Sequence, residues 1–145
     1  MRKKISVISP CFNEEQSVAE CHAAVKRIFE AQLPDYEREH IFCDNCSSDK
    51  TVQILRELAA SDRGVKVILN SRNFGILRNT YNGVMNASGD AVILFMPVDL
   101  QDPPELIPDF VRHWEAGSEI VYGIRALREE GFLLRHARRV YYRVL

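Results

Sequence analysis

The chain of 145 residues lacks the features that would place it in a membrane or outside the cell. It contains no run of 18 or more apolar residues, so the sequence predicts no membrane-spanning helix. The basic N-terminal sequence MRKKISVISP continues into an apolar stretch that is too short and too interrupted for a signal peptide. We therefore expect a cytoplasmic protein.

The sequence has few cysteines and almost no net charge. Four cysteines are too few for the disulfide framework of a small secreted domain, and a net charge of −1 argues against a nucleic-acid-binding protein that relies on overall charge. The charge is uneven, however, because residues 125–145 hold six arginines and two glutamates, with Tyr141 and Tyr142 among them. This pattern indicates either a solvated helix face or contact with an anionic partner, such as the inner face of the cytoplasmic membrane. The oligomeric state is not predicted.

Glycine is missing from the turn that follows the first predicted strand, which reads SPCFNEE. A dinucleotide site of the G-x-G-x-x-G type needs glycines there, and a P-loop is absent as well. Any phosphate bound by this protein would have to be neutralised by a metal ion or by arginines.

The spacing of apolar residues alternates between the period of a strand and the period of a helix. It predicts five strands and four helices, with strands at 4–9, 39–44, 65–70, 91–96 and 119–124 and helices at 14–32, 48–62, 77–87 and 104–117. Ser48 is the predicted N-cap of the second helix, and Gly83 is expected to allow a close helix–sheet approach. This alternation predicts one α/β domain over residues 1–145, with a mostly parallel sheet and helices on both faces.

Polar residues follow every predicted strand. Parallel sheets bind ligands at the carboxyl ends of their strands, near the point where the strand order reverses. We therefore expect one polar edge that gathers Asn13, Glu14, Asp44, Asp49, Arg72, Asn73, Asp99, Gln101, Asp102 and Arg125.

Five segments together resemble the family 2 glycosyltransferases of GT-A fold: SVISPCFNEE, CDNCSSDKT, NSRNFG, ASGDAVILFMPVDLQDPPELIP and WEAGSEIVYGIR. They are most similar to the branch of dolichol- and polyprenyl-phosphate sugar transferases and bacterial polysaccharide transferases. The resemblance implies a Rossmann-like GT-A domain without the usual C-terminal part. It also implies transfer of a sugar from a nucleotide-diphosphate sugar to a lipid-phosphate or saccharide acceptor, in cell-surface polysaccharide or glycolipid synthesis.

The resemblance implies roles for the matching positions. The nucleoside would lie against Pro10, Asn13, Glu14 and Asp44, and the base beside Arg72 and Asn73. Asp99 matches the second acid of the D-x-D motif and, with Gln101, would hold Mg²⁺ or Mn²⁺ at the diphosphate. Arg125 would contact a phosphate, so Asp99 and Arg125 are the expected catalytic residues.

Two departures from the family pattern leave alternatives open. Pro97 replaces the first acid of D-x-D, and Asn45-Cys46 replace an acid and a glycine of D-D-G-S, so we expect weakened metal dependence. A nucleotide-sugar-binding fragment or partner subunit without catalytic activity is the main alternative. Cys43 and Cys46 also match the C-x-x-C spacing of redox proteins, and Asp99 with Asp102 could form only a turn and a helix cap.

Overall fold

A computed structural model describes residues 2–94 and 96–124. Its four strands form one parallel sheet in the order β3-β2-β1-β4, with β1 at Lys4–Cys11, β2 at Glu37–Asp44, β3 at Val65–Leu69 and β4 at Ala91–Ile93. The helices are α1 at Val18–Gln32, α2 at Thr51–Ser61, α3 at Ile76–Met85 and α4 at Ile107–Glu115, the last preceded by a 3₁₀ turn at Pro104–Leu106. The predicted α/β class is confirmed.

The strand order explains which helices cover which face. The chain steps sideways from β1 to β2 to β3, so right-handed crossovers place α1 and α2 on the same face. It then returns past β1 to β4, which places α3 on the opposite face, against Ile8, Ile41 and Cys43. The order reverses between β1 and β4, and the ends of these two strands are the expected ligand site.

Helix α1 supplies much of the core on its face of the sheet. All five residues predicted to face inward are buried, namely Val18, Cys21, Val25, Ile28 and Phe29. Each apolar side chain of this size contributes roughly 1.5–3 kcal/mol when it is fully buried. The helix begins at Val18 rather than at residue 14, because residues 14–17 form a turn in which the amides of Ser17 and Val18 donate to the Glu14 carbonyl.

The predicted N-cap of α2 is wrong. The N-cap is Lys50, which makes no side-chain cap hydrogen bond. The amide and the hydroxyl of Ser48 donate to Asn13 Oδ1 at 2.8 and 3.3 Å, so this residue belongs to the contact with the neighbouring loop. Asp49 Oδ1, one residue before Lys50, accepts the Thr51 amide at 3.0 Å and satisfies one of the free amides at the start of the helix.

The last two predicted strands also need correction. Strand β4 stops at Ile93, three residues earlier than predicted, although the Met96 amide still donates to the Ile8 carbonyl at 2.8 Å. Residues 119–124 form no strand, and Ile120, Tyr122 and Ile124 are at least 75% exposed. Within the described ranges no strand is hydrogen-bonded to them, and an isolated strand cannot satisfy its backbone hydrogen bonds.

The predicted close approach at Gly83 is confirmed. A Cβ atom at this position would lie 2.6 Å from both Cys43 Sγ and Ile8 Cγ2. Among the described residues, no helix is long and apolar enough to cross a membrane. The predictions for Arg125 and for the arginine-rich residues 125–145 fall outside the described residues.

Candidate nucleotide site

Two loops at the carboxyl end of the sheet are tied together by Asn13. Its amide donates to Ser47 Oγ at 2.8 Å, and its Oδ1 accepts from the Ser48 amide at the same distance. Asn13 has φ of 56°, a conformation that Asn adopts more readily than most residues. Through these two hydrogen bonds, Asn13 holds the loop after β1 against the loop after β2.

The next residues of the same turn are held in a similar way. The Glu14 amide donates to Thr51 Oγ1 at 2.8 Å, and the Glu15 amide donates to Asp49 Oδ2 at 3.1 Å. These bonds fix the backbone of Glu14 and Glu15, and Glu14 lines a pocket at the sheet edge.

Asp44 ends β2 and is 1% exposed. Its Oδ2 accepts the amides of Cys46 and Ser47 at 3.1 and 3.0 Å, and its Oδ1 accepts the Ser47 hydroxyl. Cys46 consequently takes φ of 69°, at the position where the family pattern has glycine. In this structure the carboxylate of Asp44 therefore organises its own loop.

Six asparagines form a connected amide network, and of these the sequence analysis predicted only Asn73 as a site residue. The network runs through Asn45, Asn70, Asn73, Asn79, Asn82 and Asn86. Asn45 and Asn79 are 4% and 1% exposed, so their amides need internal partners. The only sequence signal was an unusual number of asparagines between residues 70 and 86, on a loop and a helix where each alone reads as a polar surface residue.

Arg72 and Asn73 lie in the loop between β3 and α3. The Arg72 guanidinium lies 4.7 Å from the centre of the Phe74 ring, a cation–π contact that keeps the side chain against this loop. Asn73 Oδ1 accepts the Gly75 amide at 2.9 Å, and Gly75 has φ of 79°. Both predicted base-side residues are therefore exposed but have defined positions.

The segment after β4 carries Asp99, the residue that matches the second acid of the D-x-D motif. Both carboxylate oxygens of Asp99 accept hydrogen bonds from Gln101, one from its amide at 3.3 Å and one from Nε2 at 2.7 Å. Leu100 between them has φ of 56°. Met96 and Val98 are buried on either side of Pro97, and their burial holds the segment that precedes the exposed residues Asp99 and Gln101.

A pocket of about 260 Å³ opens at the carboxyl ends of β1 and β2. It brings together three predicted residues with five that were not predicted to line it: Pro10, Glu14 and Asn73, and Cys11, Phe12, Asn45, Ile76 and Asn79. The predicted residues Asn13, Asp44, Arg72, Asp99 and Gln101 do not line it. Phe12 is 46% exposed, and the signal that could have identified it is its place inside the P-x-x-N-E turn.

A second and larger cavity, of about 840 Å³, runs along β4 and the segment 118–124. Asp102 lines this cavity rather than the pocket beside β1, with Leu94, Phe110 and Trp114 among its apolar walls. The structure therefore separates Asp102 from the residues that line the smaller pocket.

The described residues contain no group of three or more His, Cys, Asp or Glu side chains suited to a metal ion. Asp99 provides one carboxylate, but the Gln101 amide turns its nitrogen toward that carboxylate. Mg²⁺ accepts carboxylate and amide oxygens together with phosphate oxygens and water, so Gln101 would have to turn its oxygen toward the ion to act as a second ligand. The pair fits a divalent ion only if the ligand completes the coordination.

The thiols do not favour the redox alternative. Cys43 is fully buried, and burial raises the pKa of its thiol to about 12. Cys46 is exposed, and all four cysteines are free. A thiol that stays protonated at neutral pH is a poor nucleophile, so Cys43 is better understood as a packing residue.

Comparison with known proteins agrees with this geometry. The sequence model described as "Glycosyl transferase family 2" matches residues 6–144, and the chain belongs to this family. A bactoprenol glucosyl transferase from Shigella phage SfV is 39% identical over 142 residues, which cover 97% of this chain and 45% of that protein. The chain thus spans less than half the length of this relative.

Solved structures show the same fold. TarS 1–349 of S. aureus in complex with UDP-GlcNAc matches with a TM-score of 0.66 and 21% identity, over 88% of this chain and 37% of that one. A mannosyltransferase from Pyrobaculum calidifontis in complex with GDP-Man and Mn²⁺ matches with a TM-score of 0.63 and 18% identity, over 77% and 32%. The described residues have the fold of the N-terminal portion of GT-A glycosyltransferases.

Proposed function

We propose that residues 1–145 form the donor-binding domain of a glycosyltransferase that uses a nucleotide-diphosphate sugar. The observation that carries this proposal is the pocket at the carboxyl ends of β1 and β2. Ligand sites of α/β sheets lie at this edge, and family membership supplies the class of reaction.

The pocket suits a nucleoside because it combines apolar and polar lining residues. Phe12 and Ile76 are 46% and 52% exposed and offer apolar contact for a planar base. Glu14, Asn45 and Asn73 supply the few polar groups that fix the orientation of a ligand.

The diphosphate would lie toward Asp99 and Gln101, at the end of β4 and next to β1 in the sheet. A divalent ion held there, when present, stabilises the negative charge of the departing diphosphate. Pro97 has no side-chain donor to offer at the position of the first acid, so the affinity for Mg²⁺ or Mn²⁺ would be lower than in a complete D-x-D site. The Asp99–Gln101 hydrogen bonds hold the remaining carboxylate in place.

For the acceptor we propose a lipid phosphate, in line with the bactoprenol glucosyl transferase among the relatives. A phosphate acceptor is already anionic at neutral pH and needs no general base, whereas a saccharide hydroxyl does. The arginines of residues 125–145, Arg125 first among them, would suit a phosphate at the inner face of the cytoplasmic membrane.

Calorimetric titration with UDP, GDP, dTDP and CDP, each with and without Mn²⁺, tests the proposal. We expect binding of at least one nucleotide, strengthened by Mn²⁺, and loss of the Mn²⁺ effect in Asp99→Ala. Asp109→Ala is the matched control, because Asp109 is an exposed acid on α4 that forms an ion pair with Arg112. Absence of nucleotide binding in a folded sample would overturn the proposal.

A second candidate is a nucleotide-sugar-binding domain without catalysis, and the observation that favours it is Pro97. Sugar transfer or slow hydrolysis of the donor releases nucleoside diphosphate, and a purely binding domain does not release it. Incubation with each nucleotide sugar, followed by measurement of released nucleoside diphosphate, distinguishes the two. Release that persists in Asp99→Ala would come from another source, such as a contaminating enzyme.

A further inference from the structure

Helix α3 has its polar and small residues toward the sheet and its apolar residues outward. The residues that it buries are Asn79, Thr80 and Gly83. On the outward side, Leu77, Tyr81 and Met85 are 82%, 65% and 66% exposed. A helix that faces water normally shows the opposite arrangement, so the outward side of α3 is suited to an apolar environment.

The three exposed side chains form one continuous stripe. They recur every four residues, so they lie within about 80° of one another around the helix and extend over about 12 Å along it. We call this stripe of Leu77, Tyr81 and Met85 the outer face of α3.

The part of the chain around the outer face carries positive charge and no negative charge. Residues 63–89 hold four basic residues and no Asp or Glu, whereas residues 1–62 and 90–124 hold nine Lys or Arg and eighteen Asp or Glu. Arg78, next to Leu77, and Arg72 are exposed, and within residues 2–94 and 96–124 neither forms an ion pair. The outer face therefore combines apolar side chains with positive charge that no acid neutralises.

We propose that the outer face of α3 docks the protein on an anionic lipid surface. Amphipathic helices bind such surfaces by burying apolar side chains at the boundary between headgroups and acyl chains, with Lys and Arg beside the anionic headgroups. Leu77 and Met85 supply the apolar contact. Tyr81 suits the boundary itself, because its ring is apolar and its hydroxyl is polar, and Arg78 would lie beside a headgroup.

A second copy of the chain fits the same face less well than a lipid surface does. Two-fold pairing places a surface patch against its own image, so Arg78 of one copy would lie near Arg78 of the other. Residues 63–89 contain no acid that could compensate for this repulsion. An anionic headgroup supplies the opposite charge, and this complementarity favours the lipid surface.

The outer face lies beside the candidate nucleotide pocket. Helix α3 begins at Ile76, which lines this pocket and directly precedes Leu77. Docking through α3 would therefore bring the pocket close to the lipid surface, where a lipid-phosphate acceptor resides. The inference goes beyond the proposed function and does not require nucleotide binding, so either one can fail without the other.

Sedimentation of the whole chain with lipid vesicles tests the inference. We expect binding to vesicles of phosphatidylcholine with about 30% phosphatidylglycerol, and at least about tenfold weaker binding to phosphatidylcholine alone, with a difference that shrinks as the salt concentration rises. Leu77→Gln should weaken binding about tenfold, because the burial of a leucine side chain is lost. Arg78→Gln should weaken it about fivefold, the effect of one basic residue at an anionic surface.

Two matched variants control for the loss of an exposed apolar or basic side chain elsewhere. Ile120 is 83% exposed and lies outside α3, and Arg56 is exposed on α2, on the other face of the sheet. Ile120→Gln and Arg56→Gln should bind the vesicles like the wild-type chain. Thermal unfolding of every variant establishes that it is folded.

Fluorescence shows which face of the protein meets the lipid. The single tryptophan of the chain, Trp114, lies on α4 and packs against the core cluster of α1, on the face of the sheet opposite α3. Brominated acyl chains should quench the indole introduced in Tyr81→Trp and leave the wild-type emission nearly unchanged.

Three results would overturn the inference. The first is no binding of the wild-type chain to the anionic vesicles, and the second is binding that Leu77→Gln and Arg78→Gln leave unchanged, which would assign the membrane contact to another part of the chain. The third is a lipid-free dimer that Leu77→Gln dissociates, which would make the outer face an interface between copies. Vesicle binding as expected, without nucleotide binding in the calorimetric titration, would overturn the proposed function alone.

Discussion

His40 Nε2 lies 2.9 Å from Ser9 Oγ, and both side chains are completely buried between the sheet and α1. His40 Nδ1 has no hydrogen-bond partner in the part of the chain that the structure describes. A neutral imidazole can place its proton on Nε2 and donate to Ser9. A second proton would lie on Nδ1 with no acceptor, in a site from which water is excluded.

The charged groups around His40 strengthen this effect. Its pKa is lowered well below the ordinary value of 6.5, chiefly by burial and then by Arg38 and His22, while Asp62 acts in the opposite direction. Asp62 is itself engaged, because Arg38 and His22 bind its Oδ2 at 2.6 and 3.0 Å. The pKa of Asp62 is lowered by these partners despite its partial burial.

We expect stability to fall as the pH decreases from 7 to 5. Below about 6.5 the unfolded chain binds a proton at His40 that the folded protein does not accept, so the free energy of unfolding decreases by up to about 1.4 kcal/mol per pH unit. Urea unfolding at several pH values measures this slope. His40→Gln should flatten it, and the exposed His113→Gln should leave it unchanged. An equal slope in both variants would assign the effect to other groups.

Gly83→Ala should destabilise the protein by about 1–3 kcal/mol, although alanine favours a helix more than glycine does. The added methyl group would meet Cys43 Sγ and Ile8 Cγ2 at 2.6 Å, and overpacking of a dense interface costs this amount. Urea unfolding provides the measurement. Met85→Ala, on the same helix at a 66% exposed position, should change stability by less than about 0.5 kcal/mol. Equal effects of the two substitutions would contradict the tight contact.

Cys46→Gly should stabilise the protein by about 1 kcal/mol. Cys46 has φ of 69°, which glycine adopts without the steric cost of a Cβ atom. Thermal or urea unfolding detects the gain. Cys46→Ala keeps the Cβ atom and should give no such increase, so equal stabilisation by alanine would show that the backbone conformation is not the cause.

Thiol reactivity should separate Cys46 from the other three cysteines. Cys46 is exposed, whereas Cys11, Cys21 and Cys43 are buried, and burial raises the pKa of each buried thiol. A colorimetric thiol reagent should label one thiol rapidly in the native protein and four in denaturant. If two thiols were labelled rapidly and Cys43→Ser left one rapidly labelled thiol, the result would support a redox role for the C-x-x-C sequence.

Secondary structure was predictable where a long segment with periodic apolar residues packs against another strand or helix. The inward face of α1 is an example, because its five buried residues follow helical spacing and lie over the sheet. Residues 119–124 show the limit of this reasoning. Their alternating apolar pattern is that of a strand, but a strand also needs a hydrogen-bonded neighbour, and the pattern does not report whether one is present.

The candidate site was predictable in part. The resemblance to a family pointed to Pro10, Glu14 and Asn73, which line the pocket, and to Asn13, which holds its loops together. The roles assigned to the site residues, including Asp99 and Arg125, stay predictions. Phe12 and the buried Asn79 were missed because one aromatic or one asparagine carries no periodic signal.

The sequence by itself determined the succession of strands and helices, since apolar periodicity is a local property of the chain. It also determined that polar turns follow the strands and that Pro97 and Asn45 depart from the family pattern. Only the tertiary structure decided which atoms these turns present. Asn45 and Asn73 are 28 residues apart, and β2 and β3 must pair before the two amides can form a hydrogen bond.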